Sequence, residues 1–196
     1  MLDIPRLVTY LAVMSITPGP NNVMVTASGA TFGYRATVPH ILGIGGGAAL
    51  QTALVCLGLG EIFERLPVLH TAMAWAGAAY LLYMAWRLVG ARAVSGKVAT
   101  RPISWPEAAA FQAVNPKAWV MAITTAAVFL PRQGSALGAA AVVALLFVLV
   151  NVPCVSVWAL FGSAMRGVLA RRKVRLVFNI AMSALLVMTA VMGLES

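Results

Sequence analysis

Asn21, Asn22, Asn115 and Lys117 are the polar side chains that stand out in an otherwise apolar sequence. They adjoin helix-breaking residues, in Thr17-Pro18-Gly19-Pro20-Asn21-Asn22 and in Asn115-Pro116-Lys117. Proline removes a backbone donor and clashes with the carbonyl four residues back, so each stretch should interrupt a helix. An interrupted helix offers amide donors at one stub and carbonyl acceptors at the other, with the dipole ends pointing into the gap. Such a gap suits a zwitterion: amides for a carboxylate, carbonyls for an ammonium, and asparagine side chains for either. A single break reads as a structural kink. Two at matched positions, each beside asparagine, favour a binding site.

Lys117 is the charged residue that lies well inside an apolar stretch. Burying a charge in a membrane is costly, by contested amounts of about 3 kcal/mol or more, so such residues usually serve a site. It could pair with a substrate carboxylate, or release a proton in one state. The competing reading is that it snorkels towards the nearer membrane surface.

The elements that would position these groups follow from composition. The chain has 196 residues, 61% hydrophobic and 10% charged, where a soluble domain carries roughly 25% charge. That length makes one membrane domain of about six crossings at ~20 residues each. The expected spans are 4–27, 38–60, 66–86, 107–130, one within 133–165, and 176–194, with Asn151-Val152-Pro153 bending the fifth. Repeat one covers about 1–88, a basic linker 89–106, and repeat two 107–196. No cleavable leader is expected, because Asp3 stands where a basic segment would be.

Of the fourteen Lys and Arg, all but Arg6, Arg65 and Arg132 fall on one side of such a membrane arrangement. This positive-inside asymmetry accounts for the net charge of +9 without nucleic acid, and it leaves both termini outside the cytoplasm. Trp86 and Trp105, flanking the linker, suit an interfacial belt. Three crossings per half force a duplicated half to insert upside down, and Pro18 and Pro116 stand half a chain length apart. Paired broken segments in inverted halves point to a transporter's binding site. The fold class expected is an all-α membrane protein, two inverted three-helix repeats with helices 1 and 4 broken.

Other motifs carry less. Gly43-Ile-Gly45-Gly46-Gly47-Ala48 mimics a dinucleotide fingerprint but lacks the preceding strand. Gly43 and Gly47 instead fit G-x-x-x-G helix packing, a spacing shared by Gly29/Gly33 and Gly134/Gly138 near span ends. Cys56 and Cys154 sit in apolar runs and read as small buried hydrophobes. His40 and His70 fall at opposite membrane faces with no carboxylate in sequence reach. Ser15, Ser156 and Ser183 suit packing hydrogen bonds. No catalytic dyad, metal site or cofactor is implied.

Ile16-Thr17-Pro18-Gly19-Pro20-Asn21-Asn22, Gly33-Tyr34-Arg35, Trp75-Ala-Gly-Ala-Ala-Tyr80 and Asn115-Pro116-Lys117-Ala118 together resemble the LysE/RhtB family of amino-acid exporters. Arg101-Pro-Ile-Ser104 and the Asn-Asn after Pro20 are similar to its cysteine/O-acetylserine exporter branch. The resemblance implies a bacterial inner-membrane exporter of L-amino acids or derivatives, driven by the proton gradient. Some members carry an aspartate around the place of Asn151, so coupling here could fall to Lys117, Glu61, Glu64, Glu107 or the substrate's ammonium.

The expected substrate contacts are Thr17, Pro18, Gly19, Pro20, Asn21, Asn22, Gln112, Asn115, Pro116, Lys117 and Asn151. The expected partners are an amino acid, protons and the lipid bilayer. Six spans make a thin shell, compatible with a homodimer. A membrane scaffold and, further off, an intramembrane enzyme are the alternatives.

Overall fold

Proline and glycine set most of the element boundaries. The computed structural model describes residues 2–59, 67–90, 101–131, 135–169 and 171–194. Glu61, Glu64, Arg65, Arg92, Lys97, Arg132 and Gly134 lie outside the described residues, as do the side chains of His70 and Arg87.

Helix α1 (Ile4–Ile16) starts on Asp3, whose carboxylate accepts from the Arg6 amide at 3.2 Å. It stops at Thr17, where the backbone turns extended ahead of Pro18. Helix α2 (Pro20–Phe32) restarts with proline at its first position, where a missing N–H does no harm. Gly33, at φ 87°, then makes the turn into α3 (Tyr34–Leu54). A wider turn, Val55–Leu59, extends α3 up to Gly58 at φ 112°.

Helix α4 (Pro67–Gly90) is followed by α5 (Trp105–Phe111), which opens with a Ser104/Glu107 capping box. A tight turn over Gln112–Val114 and the extended Asn115 separate α5 from α6 (Pro116–Thr124), itself widened over Thr125–Phe129. Helix α7 (Ala136–Ala164) continues through Pro153 as one element. Then come a short turn, α8 (Arg166–Leu169), and α9 (Arg172–Leu194). Every described element is helical.

Tyr34–Gly58 (mean hydropathy 1.7) and Ala136–Ala164 (mean hydropathy 2.5) are long and apolar enough to cross a membrane. Helices α1 and α2 have 13 residues each, or about 20 Å, so neither alone spans a ~30 Å hydrocarbon layer. The outer face of α7 is apolar, with Leu145, Leu149, Val157 and Phe161 exposed, as a lipid-facing surface requires.

Three apolar clusters hold the helices. Leu7 and Leu11 of α1 meet Ala48 and Ala49 of α3, Met121 of α6 and Val143 and Phe147 of α7. Val25 of α2, Ile41 and Ile44 of α3, Ala108 of α5 and Val155 and Ala159 of α7 form the second. Val23 and Met24 of α2 join α4, α5 and α9 in the third.

Close crossings rest on glycine. A Cβ at Gly43 would overlap the Trp105 carbonyl oxygen, and one at Gly47 would stand 2.6 Å from the Ala109 Cα, so α3 lies backbone-close to α5. Gly29 and Gly162 do the same for α2 and α7, against Ala159 and Thr26.

Candidate functional site

The two helix breaks meet. Lys117, in the first turn of α6, sends its ammonium across to the other break and donates to the carbonyl oxygens of Thr17 at 2.7 Å and Pro18 at 3.4 Å. Its stem lies on Gly19, where an added Cβ would stand 2.9 Å from Lys117 Cδ and 3.2 Å from Nζ. The lysine therefore joins the halves of the chain, and Gly19 leaves the room for it.

A second bridge is made of amides. Asn21 Nδ2 donates to Gln112 Oε1 at 3.0 Å, and Gln112 Nε2 donates back to Asn21 Oδ1 at 3.2 Å. Gln112 is 1% exposed. It also donates to the Ala108 carbonyl at 2.9 Å and accepts from Asn115 Nδ2 at 3.1 Å. Both donors and both acceptor positions are thus filled, as a buried amide demands. Asn115 caps α6 by accepting from the Lys117 amide at 3.2 Å. With its own amide oriented to satisfy both ends, Gln51 of α3 donates to the Gln112 carbonyl at 3.2 Å and accepts from Trp119 Nε1 at 3.0 Å.

The carbonyl stub of α1 differs from the sequence-based expectation. Its acceptors are occupied rather than open to an ammonium. Asn22 Nδ2 donates to Ser15 O at 3.0 Å and Thr17 O at 2.8 Å, and Trp158 Nε1 donates to Ile16 O at 3.0 Å. Chain ends of a helix buried in apolar surroundings need partners, and the nearest side chains supply them. Asn22 accordingly works as a clamp on the break.

The Asn21 and Asn22 backbone amides at the start of α2 have no protein partner among the described residues. They lie beside Lys117, so this corner combines two open N–H groups, a helix N-terminus and a cation.

Between the bridges is a small cleft with room for about one water molecule. Gly19, Pro20, Asn21, Asn22, Gln112, Asn115, Lys117 and Asn151 line it, with Ser15, Phe147 and Met121. Thr17, Pro18 and Pro116, expected at the same place, do not line it; their backbone shapes the breaks. Asn151 donates to Ser15 Oγ at 3.0 Å, while its Oδ1 is buried without a partner. That leaves one acceptor open at the cleft.

Sequence reasoning missed two contributors to the site and the enclosure of a third residue outside the cleft. Gln51 and Trp158 are distant in sequence and show their role only once α3 and α7 are packed. His40 was expected at a membrane face, yet it is 0% exposed with both ring nitrogens unpartnered.

Comparison with known proteins follows the same outline. A family model described as LysE type translocator matches residues 12–194. The cysteine/O-acetylserine efflux proteins of Salmonella paratyphi A and Salmonella typhi are each 30% identical over 184 residues, 93% of this chain and 93% of theirs. That of Escherichia coli O1:K1 is 29% identical over the same shares. No solved structure matches the chain.

Proposed function

Because the chain belongs to the LysE type translocator family, we propose that it is a secondary transporter that exports a small neutral L-amino acid or derivative from the bacterial cytoplasm. It is a transporter and not an enzyme. The substrate class is that named for its relatives, cysteine and O-acetylserine, which share a compact zwitterion.

The observation that carries the reading is the contact of Lys117 with the opposite break, at 2.7 Å from the Thr17 carbonyl. A substrate carboxylate takes up the open Asn21 and Asn22 amides and draws the Lys117 ammonium away from Thr17. The ammonium of the same substrate finds Asn151 Oδ1. Met14, Met121 and Phe147 face a short side chain. For a solute to enter, the cleft must widen, so the Asn21–Gln112 pair and the Lys117 bridge part and re-form in each cycle. Alternating access then amounts to opening and closing these two bridges, with the proton gradient as the driving force.

The arrangement in the membrane is six crossings in two inverted halves, both termini outside, in the bacterial inner membrane. Support comes from which helices pack together. Each broken helix lies against the first long helix of the other half (α1 and α2 on α7, α5 and α6 on α3), and α3 packs on α7 as α4 packs on α9. A two-fold relation between halves produces this pattern.

Purified protein in liposomes tests the function. Saturable, chemically unaltered efflux across a panel of neutral amino acids including cysteine is expected. Lys117→Ala and Pro18→Ala should lower it by about tenfold or more with membrane insertion retained. A chemically changed product would mean an enzyme, and no flux at all would mean a scaffold.

A further inference from the structure

We propose that His40 is the residue that takes up the driving proton, with Glu107 as its counter-charge and α5 as the rod that carries the change to the cleft. The proposal rests on the export reading above. Buried polar side chains nearly always have partners, and a neutral imidazole has one donor and one acceptor to satisfy. His40 is fully enclosed and satisfies neither.

Its surroundings say what the ring faces. His40, Gly43 and Gly47 stand at i, i+3 and i+7, on one face of α3. The two glycines of that face touch Trp105, Ala108 and Ala109 of α5. Glu107 lies in the same turns of α5 as the Trp105 and Ala108 that meet Gly43. The other elements against α3 offer little: α2 carries no titratable side chain, α6 only Lys117 and α7 only Cys154, while α3 and its extension add Tyr34, Arg35 and Cys56.

Glu107 is itself clamped. Its two oxygens accept from Arg101 at 2.8 and 2.6 Å, from the Ser104 amide at 2.8 Å and from Ser104 Oγ at 2.7 Å. A proton on His40 turns the ring into a double donor with a positive charge, and that charge competes with Arg101 for the carboxylate. Glu107 opens α5, and the residue after its last turn is Gln112, the partner of Asn21. Seven helical residues transmit a shift over about 10 Å. The proton thus acts on the amide bridge without touching the substrate. It binds the ring from the outward-open state and leaves to the cytoplasm; only the N–H bond forms and breaks.

The chain has 2 histidines, so His70→Gln leaves His40 as the one imidazole. In that protein, labelled with nitrogen-15 histidine and reconstituted in liposomes, the ring shifts read protonation directly between about pH 5 and 8. Saturating cysteine, kept reduced, should move the midpoint by about one pH unit or more, the sign of coupled binding. A ring that ignores both pH and cysteine overturns the proposal. Separately, His40→Gln should keep cysteine–cysteine exchange within about twofold of the unaltered protein while accumulation driven by a pH gradient falls about tenfold or more. Undiminished accumulation also overturns it. Should the variant lose both, the ring titration decides. Absent exchange in the unaltered protein would instead sink the export reading.

Discussion

Lys117 is a structural tie and, on the export reading proposed above, a binding group as well. Its ammonium holds two carbonyls of the other break, at 2.7 and 3.4 Å, and any anion that reaches the α2 amides competes for it. Gly19 makes the position available. Gly19→Ala would place a methyl 2.9 Å from the lysine stem, and because that stem is flexible the fold should survive. The expected outcome is a protein with near-normal melting in detergent and efflux lowered by about tenfold, since the ammonium is displaced by more than hydrogen-bond tolerance. Asn22 should behave in the opposite way. Asn22→Ala leaves the buried Ser15 carbonyl without its donor, a loss of about 1–3 kcal/mol, while Thr17 keeps Lys117. A lower melting temperature in detergent measures it.

At the scale of elements, the closest helix crossings explain where side chains are forbidden. Gly162 of α7 faces the Thr26 carbonyl of α2, and its Cβ position would stand 2.8 Å from the Thr26 carbonyl carbon. Backbone cannot step aside as a lysine stem can. Gly162→Val should therefore lose most folded protein in size-exclusion chromatography, whereas Gly46→Ala, where nothing lies within 4 Å, should be silent. The broken helices obey a different constraint. Helices α1 and α2, at 13 residues each, are too short to cross a membrane alone. Where a helix stops among apolar helices, the polar groups of its stub must be satisfied by protein. Asn22, Trp158 and Lys117 perform that task for α1, and Asn115 and Gln112 for the second break. At the first break Lys117 and Trp158 reach across from the second half of the chain, so the halves are tied together there.

For the molecule as a whole, two side-chain bridges between the halves close a cleft that holds about one water molecule. Locking them should stop transport. With Cys56 and Cys154 replaced by serine, Asn21→Cys combined with Gln112→Cys offers thiols where the amides now pair at 3.0 and 3.2 Å. A short thiol-reactive bridge should abolish efflux from liposomes, and its reductive removal should restore it; neither single variant should respond. Unimpaired efflux in the bridged protein would mean that the cleft does not open along this seam.

Much of this was legible in the residues alone. Low charge, uncharged runs of membrane length and two proline-asparagine breaks are local properties, so they reveal an all-helical membrane chain, the broken elements and the residues beside each gap before any contact is known. The spacing of Gly43 and Gly47 is local too, and it marked a close helix approach. What a side chain touches across the fold is another matter. Nothing near Asn22 in sequence says that it clamps its own break, nor that Gln112 saturates all its hydrogen bonds with Asn21, Asn115 and Ala108. His40 looked like an interfacial residue because it stands near the start of the expected span 38–60; that protein encloses it completely is visible only in the packed fold. Burial and pairing depend on distances between remote segments, which tertiary packing alone sets.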